Sequence, residues 1–272
     1  MAGFSVVEHP IRTIWCPVGY TTTATPYTLY VGQLVKLSAA GAASGAVPFA
    51  QGAAPTTGIP FGVVVGNNNK EPVFDATYKA EYITSVNTQA DLLARKWAGI
   101  GMTGGGMWVP SDPMAMVKVD LIGPDTVLKG RIFAGTYGVA PTVGTVSATS
   151  GTGLTYTCAV AGLGVTRIAY NSTHYCRTGA NQGLYRVSYD TGTTLQATTF
   201  YIPMPQDIVV GDTFVCVNAA LGHTLLTFDA LGTYIDGQAA QTYNNMVNVI
   251  DIDLRNAGEE YCLFNFGNPW IA

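Results

Sequence analysis

MVKVDLIGPDTVLKGRIF, residues 116–133, decides the fold class of this chain. In its first half Val117, Val119 and Leu121 alternate with Lys118 and Asp120, a period of two that is typical of a half-buried β-strand. GPD at 123–125 predicts a turn, and VLKGRIF at 127–133 predicts a second strand. Short apolar runs of the same kind recur at turn-marked intervals along the chain, at 28–31, 33–37, 46–50, 61–66, 78–84, 184–189, 195–201, 213–217, 248–254 and 261–266. These runs predict an all-β protein of the sandwich or barrel type.

One helix is expected within this β pattern, over residues 88–98. Thr88 can cap its N-terminus, Asp91 and Arg95 form an i,i+4 pair, and Gly99 ends it. Around it we predict an N-terminal arm at 1–26, a β domain at 27–134, a linker or loop rich in Gly, Thr and Ser at 135–153, and a second β domain at 154–272.

Charge is sparse in this sequence. Lys, Arg, Asp and Glu number 30 of 272 residues, or 11%, where a soluble domain usually carries about 25%. Desolvating an unpaired charge is costly, so charge is depleted where other protein covers the surface. The composition therefore predicts a subunit of an assembly.

The same composition argues against two partner classes. The net charge is −4 and Arg95-Lys96 is the longest basic run, which leaves few groups to neutralise nucleic-acid phosphates. No apolar run reaches the roughly 18 residues of a membrane helix. The first residues, MAGFSVVEHPIR, lack the pattern of a secretory signal. We expect neither a nucleic-acid nor a membrane partner.

Two strings match catalytic or cofactor motifs literally, and each has a simpler explanation. YDTGTT at 189–194 resembles the aspartic-protease signature, but that chemistry needs two carboxylates and the string occurs once, while Asp, Thr and Gly are also what a hairpin turn selects. Gly99 to Gly104 matches GxGxxG, yet a predicted helix precedes it where the dinucleotide motif needs a strand. We predict a turn and a loop, and no catalytic or cofactor-binding residue.

Metal binding has equally little support. The three histidines are isolated, and the carboxylates of the C-terminal region predict a solvated strand face rather than a Ca²⁺ site. No metal or cofactor is therefore expected. The five cysteines predict buried, reduced thiols, with a Cys158–Cys176 disulfide as the alternative. The residues that these interpretations concern are His9, His174, His223, Asp251, Asp253, Glu259 and Glu260.

Two tryptophans and one sequon complete the list of candidate surface features. Trp108 and Trp270 stand in exposed-looking contexts and are candidates for protein interfaces. Asn171-Ser172-Thr173 fits a glycosylation sequon, which we interpret as chance.

The stretch YVGQLVKLSAAGAASGAVPFAQGAAPTTGIPFGVVVGNN, at 30–68, resembles the head decoration (cement) proteins of tailed bacteriophages. The resemblance lies in a strand ending in Val35-Lys36-Leu37, an Ala/Gly-rich loop, the strand Val47-Pro48-Phe49 and the run Phe61 to Val65. The stretch 183–217 is similar in its residue pattern to β-domains of phage virion proteins. The resemblance covers about half of the chain.

The resemblance implies a structural virion protein, not an enzyme. Such a protein assembles in the host cytoplasm, sits on the capsid surface, often as a homotrimer, and binds the major capsid protein to cement neighbouring subunits. A tail or fibre subunit is the alternative. A major capsid protein is less favoured because that fold needs a long spine helix, and a DTG-type aspartic protease is least favoured.

Overall fold

The computed structural model describes residues 3–17, 28–37, 46–48, 60–67, 82–84, 116–149, 155–158, 172–190, 196–221, 226–229, 232–238 and 247–267. Across these residues the protein is all-β, as the alternating runs predicted, and 18 strands follow one another. The chain divides into two compact units. The first contains the described residues up to Thr126 together with Gly232 and Thr233, and the second contains those from Val127 to Asp229 and from Tyr234 onward.

The first unit is built on a five-stranded antiparallel sheet in the order β2-β8-β6-β4-β5. Its inward side chains come from alternate positions of the strands, and they form an apolar core of Cys16, Leu29, Val35, Val64, Val117 and Val119. The alternation of β8 is the one that its sequence predicted, since Val117 and Val119 are fully buried. The strands are β2 (Thr13–Pro17), β4 (Leu34–Leu37), β5 (Ala46–Pro48), β6 (Gly62–Asn67) and β8 (Met116–Leu121).

Three short strands complete the first unit. They are β1 (Phe4–Glu8), β3 (Thr28–Tyr30) and β7 (Tyr82–Thr84), and β3 pairs antiparallel with β7. A tight turn joins β3 to β4, with Gly32 at φ 84° and the Gln33 N–H donating to the Tyr30 carbonyl. The side chain of Gln33 is buried there and its Oε1 accepts from the Tyr30 N–H at 2.8 Å.

Six strands of the second unit pair in a closed antiparallel barrel, in the order β10-β11-β14-β13-β12-β15. Closure removes every strand edge from this part of the unit. The interior holds residues such as Val146, Val187, Phe200 and Phe214. The strands are β10 (Val143–Thr149), β11 (Thr155–Cys158), β12 (Thr173–Cys176), β13 (Gly183–Asp190), β14 (Gln196–Phe200) and β15 (Thr213–Val217).

A second sheet of this unit runs β9-β18-β17, and the two-residue strand β16 pairs parallel with β9. Its buried rings pack edge to face: the centroids of Phe264 and Phe266 are 5.6 Å apart, and Phe228 lies against both. The strands are β9 (Val127–Phe133), β16 (Ile235–Asp236), β17 (Val247–Asp253) and β18 (Tyr261–Phe266).

A buried ion pair joins the barrel to this sheet. Arg177 follows β12, and its Nη2 lies 2.7 Å from Oε1 of Glu260, which precedes β18 and is 1% exposed. The same guanidinium donates through Nε and Nη2 to the carbonyl of Leu254, at 3.0 and 2.9 Å. The pair therefore fixes how the β17–β18 hairpin packs within the second unit.

The structure differs from the predicted domain organisation in the N-terminal arm, in the linker and at the boundary between the units. Residues 4–8 and 13–17, expected in an N-terminal arm, form β1 and β2, and β2 pairs with five consecutive residues of β8. Residues 143–149, expected in a linker, form β10 and pair with both β11 and β15. Pro17 in β2 and Gly144 in β10 have low β propensity, which is why the sequence favoured irregular structure for these two segments. The boundary between the units falls at 126/127 rather than within 135–153.

The other predicted strands are confirmed where the structure describes them, with ends that shift by one residue, and residues 49–50 and 78–81 lie outside the described residues. The antiparallel pairing of β13 with β14, in which Asp190 lies opposite Thr198, confirms a hairpin, whose connecting residues 191–195 are outside the described part of the chain. The helix predicted over 88–98 lies outside the described residues.

Candidate interaction surfaces

The segment 201–211 connects β14 to β15 and packs against the barrel core, and we call it the capping segment. Met204 and Ile208 point inward and belong to the barrel core. Asn181, itself buried, holds the segment in place: its Nδ2 donates to the carbonyls of Gln206 and Asp207 at 3.0 and 3.2 Å, and its Oδ1 accepts from the Gln206 N–H at 3.0 Å. Asn181 thus anchors the backbone of the capping segment at residues 206 and 207.

Four of the outward side chains of the capping segment are apolar, and the exposed Gln206 and Asp207 lie between them. Ile202 is 73% exposed, Val210 65%, Val209 56% and Tyr201 46%. Tyr201 and Ile202 are neighbours in sequence, as are Val209 and Val210, so the capping segment exposes two apolar pairs that are candidates for contact with other molecules.

Local geometry explains why these valines face outward. The Asp212 N–H donates to the Val209 carbonyl at 3.2 Å, and Asp212 Oδ2 accepts from the Val209 N–H at 3.2 Å. Gly211, at φ 100°, supplies the left-handed residue that this tight turn requires. Val209 and Val210 therefore stand at the tip of a turn.

A cation borders the capping segment. The Arg186 guanidinium lies 5.4 Å from the centroid of the Tyr201 ring, and the Tyr201 N–H donates to the Arg186 carbonyl. Leu184, two residues earlier on β13, is exposed on the same outer side of the barrel. The surface thus combines aliphatic, aromatic and cationic groups, a composition that is common at protein interfaces.

The first unit exposes a second apolar group on the outer face of its sheet. Trp15 of β2 is 52% exposed and lies opposite Lys118 of β8, and Val65 of β6 is exposed close by in the same sheet. Next to them, Thr13 Oγ1 donates to Asp120 Oδ1 at 2.6 Å. Tryptophan is the side chain most enriched at binding hot spots, so this face is also a candidate contact surface.

Two of the carboxylates considered as metal ligands pair with arginine side chains. Glu260 pairs with Arg177, whereas Asp253 pairs with Arg255. The hydrogen bond and charge of Arg255 lower the pKa of Asp253 to about 2. Among the described residues no group of three His, Cys, Asp or Glu side chains is arranged to hold a metal ion.

The two histidines that the structure describes have different surroundings. His174 is fully buried in the barrel, with its ring edge-on to Phe200 at 5.6 Å between centroids. His9 is exposed at the end of β1, with φ 54°. Outside the described residues lie His223, the string 99–104, Trp108 and Trp270.

The cysteine prediction is confirmed for the four thiols that the structure describes. Cys16, Cys176, Cys216 and Cys262 are buried, and none of the four is in a disulfide. Because Cys176 is free, the alternative Cys158–Cys176 disulfide is not formed. Burial raises the pKa of the Cys176 thiol to about 11, and burial also raises the pKa of Cys262.

Two of the three sequon residues are inaccessible. Ser172 and Thr173 are buried, and Ser172 Oγ donates to Asn218 Oδ1 at 2.8 Å. This burial supports the interpretation of the sequon as a chance match. Among the described residues, no helix is both long enough and apolar enough to span a membrane.

Comparisons with known proteins leave the family open. No family model, curated protein or solved structure gives a significant match to this chain.

Sequence reasoning did not single out the capping segment or Trp15. The string Val209-Val210-Gly211-Asp212 held a usable signal, because apolar residues beside a turn dipeptide have nowhere to bury unless the loop folds back. Trp15 could be found only by placing β2 in the sheet, since its exposure follows from the inward position of Cys16.

Proposed function

We propose that this chain is a structural virion subunit that binds the outer surface of a phage capsid and cements neighbouring copies of the major capsid protein. The observation that carries the proposal is the capping segment, which exposes four apolar side chains, is anchored by Asn181 and carries little charge. The low charge of the whole chain, 30 residues of 272, supports the same conclusion, as does the resemblance of residues 30–68 to head decoration proteins.

The mechanism would be burial of apolar surface across capsid subunits. Full burial of an Ile or Val side chain is worth roughly 1.5–3 kcal/mol. Ile202 is 73% exposed and Val210 65%, so covering them would contribute about 1–2 kcal/mol each. A subunit present at 1,000 times its Kd would then stabilise the bound shell by roughly 4 kcal/mol per site through mass action.

Oligomeric state and location belong to the same proposal. The family resemblance favours a homotrimer on the capsid, assembled in the host cytoplasm. A role as a tail or fibre subunit would use the same exposed apolar surface, so the two are separated by what the chain binds. That the chain is not an enzyme, and has no nucleic-acid or membrane partner, stays a prediction.

Co-sedimentation with capsids that lack the chain tests the proposal. Ile202→Asp places a charge where apolar burial is expected, and should weaken capsid binding at least tenfold. Val139→Asp is the matched control, because Val139 is also an exposed aliphatic residue of the second unit but lies outside the capping segment. Equal binding by wild type and Ile202→Asp would refute the role of the capping segment, and no binding by wild type would refute the cement function.

A further inference from the structure

Two cations of the second unit converge on one tyrosine ring. Lys129 and Arg131 are partly exposed at alternate positions of β9, so they share one face of the sheet with Cα atoms about 7 Å apart. On the neighbouring strand β18, Arg131 lies opposite Tyr261 and Lys129 lies opposite Leu263. Lys129 Nζ nevertheless lies 3.8 Å from the centroid of the Tyr261 ring. The lysine side chain therefore leans towards the arginine and not away from it.

The guanidinium of Arg131 is held in place by its surroundings. Its Nη2 donates to the carbonyl of Gly258, and its Cζ lies 5.7 Å from the centroid of the Phe133 ring. Its Nε is enclosed by protein without a hydrogen-bond partner, whereas Nη1 is not enclosed in this way. Nη1 is thus the part of a fixed guanidinium that remains open to a ligand.

No carboxylate neutralises the two cations. Within the described part of the chain, no Asp or Glu oxygen lies within ion-pair distance of either one. Asp253 lies opposite Tyr261 on β17, but both of its oxygens accept from the Arg255 guanidinium. Asp251, also on β17, accepts from the Ile252 N–H at 2.8 Å. The acidic side chains of the adjacent strand therefore have other donors.

This arrangement is electrostatically incomplete. The chain has only 13 Lys and Arg among 272 residues, yet two of them approach each other on one sheet face. Like charges on neighbouring positions repel, and an anion between them replaces that repulsion with two attractions. Hydrogen bonds in which both partners are charged are about twice as strong as neutral ones. The geometry therefore favours an anionic ligand at this point.

We propose that Lys129 and Arg131 form a binding site for a carboxylate group, the side chain of an Asp or Glu residue of a partner protein. One carboxylate oxygen accepts from Arg131 Nη1 and the other accepts from Lys129 Nζ, while the Tyr261 ring supports the lysine from below. A carboxylate fits better than a phosphate group because two cationic donors match two oxygens and leave no further oxygen without a donor. The site lies within the second unit and does not rest on the proposed capsid role.

Two matched peptides test the site on the full chain. Acetyl-Gly-Glu-Gly-amide carries the carboxylate, and acetyl-Gly-Gln-Gly-amide differs from it only by the loss of charge. In NMR titrations at constant ionic strength, the Glu peptide should shift the Arg131 Nε–H resonance to saturation and the Gln peptide should not. Equal shifts from both peptides would overturn the proposal, and so would tighter binding of inorganic phosphate than of the Glu peptide.

Variants assign the binding to the two cations. Lys129→Met and Arg131→Gln should each weaken binding of the Glu peptide by about fivefold or more. Arg12→Gln is the matched control, because Arg12 is an exposed arginine of the first unit and its replacement should leave the affinity unchanged. Equal losses in all three variants would show a general charge effect and contradict the site.

Thermal unfolding separates loss of binding from loss of folding. Lys129→Met leaves the contact of Arg131 with Gly258 in place, so its circular dichroism should be that of wild type. A ligand that binds only the native state raises the melting temperature by mass action. The Glu peptide should therefore raise the melting temperature of wild type and not that of Lys129→Met. An equal rise in both proteins would contradict the proposal.

Discussion

Removing Glu260 should strongly destabilise the second unit. The Glu260 side chain is 1% exposed and its Oε1 lies 2.7 Å from Arg177 Nη2, whereas Arg177 is 12% exposed. Removing one partner of a buried pair leaves an uncompensated charge and costs about 3–5 kcal/mol. Arg177 keeps its two hydrogen bonds to the Leu254 carbonyl, so Glu260→Ala should lie at the lower end, about 3 kcal/mol.

The assay is thermal and urea unfolding of the full chain, with hydrogen exchange to assign the transition to the second unit. The Ile132 N–H, which donates to the Glu260 carbonyl at 2.9 Å, reports on that unit. A loss of about 3 kcal/mol corresponds to a fall in melting temperature of roughly 6–12 °C for a unit of this size.

The double variant Arg177→Met with Glu260→Met is the control, because replacing a whole buried ion pair by apolar side chains is often neutral or stabilising. It should recover most of the stability that Glu260→Ala loses. A free energy of unfolding for Glu260→Ala within about 1 kcal/mol of wild type would refute the reasoning. A contribution that small is typical of an exposed ion pair.

Three further predictions concern packing, pH and thiol chemistry. Gly62→Ala should destabilise the first unit by roughly 2–3 kcal/mol in urea titration, because a Cβ there would lie 2.3 Å from Val119 Cγ1; a change below about 0.5 kcal/mol would contradict the close approach of these strands. The pKa of Asp253 is lowered to about 2 by Arg255, so its contribution is present above pH 4 and is lost as the pH falls towards 2. That contribution should be at most about 1 kcal/mol, since the Arg255 partner is exposed, and unfolding curves from pH 5 to 2 should be flatter for Asp253→Asn than for wild type. The raised pKa of Cys176, about 11, predicts slow reaction with a disulfide reagent at pH 8 in the native protein and fast reaction in urea; equal rates would show that this thiol is accessible.

Strands with a strict period of two were predictable from sequence. In β8, Val117 and Val119 are buried while Lys118 is exposed, as hydrophobic alternation requires. In β18 the buried residues Cys262, Phe264 and Phe266 again alternate. These strands have one face on a core, so burial and sequence pattern carry the same information.

Other strands could not be recognised because their sequence lacks that contrast. All four residues of β12, including His174, are buried, so no alternation remains to be seen. In β10 the inward positions are Gly144 and Val146, and small residues there give a weak strand signal. Barrel closure, which involves residues far apart in sequence, decides both cases.

Register irregularities and surface sites could not be predicted from the local sequence pattern either. Val249 and Ile250 are consecutive apolar residues, so the local pattern does not show which of them faces the core; the shift in register between Val249 and Asp251 turns Ile250 outward. The exposure of the capping segment depends on Asn181, whose hydrogen bonds link it to residues 25 and 26 positions away. Contacts over such distances follow from the assembled fold and not from local pattern.

Imaging the purified chain by electron microscopy, with and without a phage capsid that lacks it, tests the central claim most directly. The account predicts small discrete oligomers that decorate the shell and raise its resistance to heat. Contact density should include the capping segment around Ile202 and Val210. A stable monomer that leaves capsids bare, or a chain that assembles into shells or fibres of its own, would contradict the account.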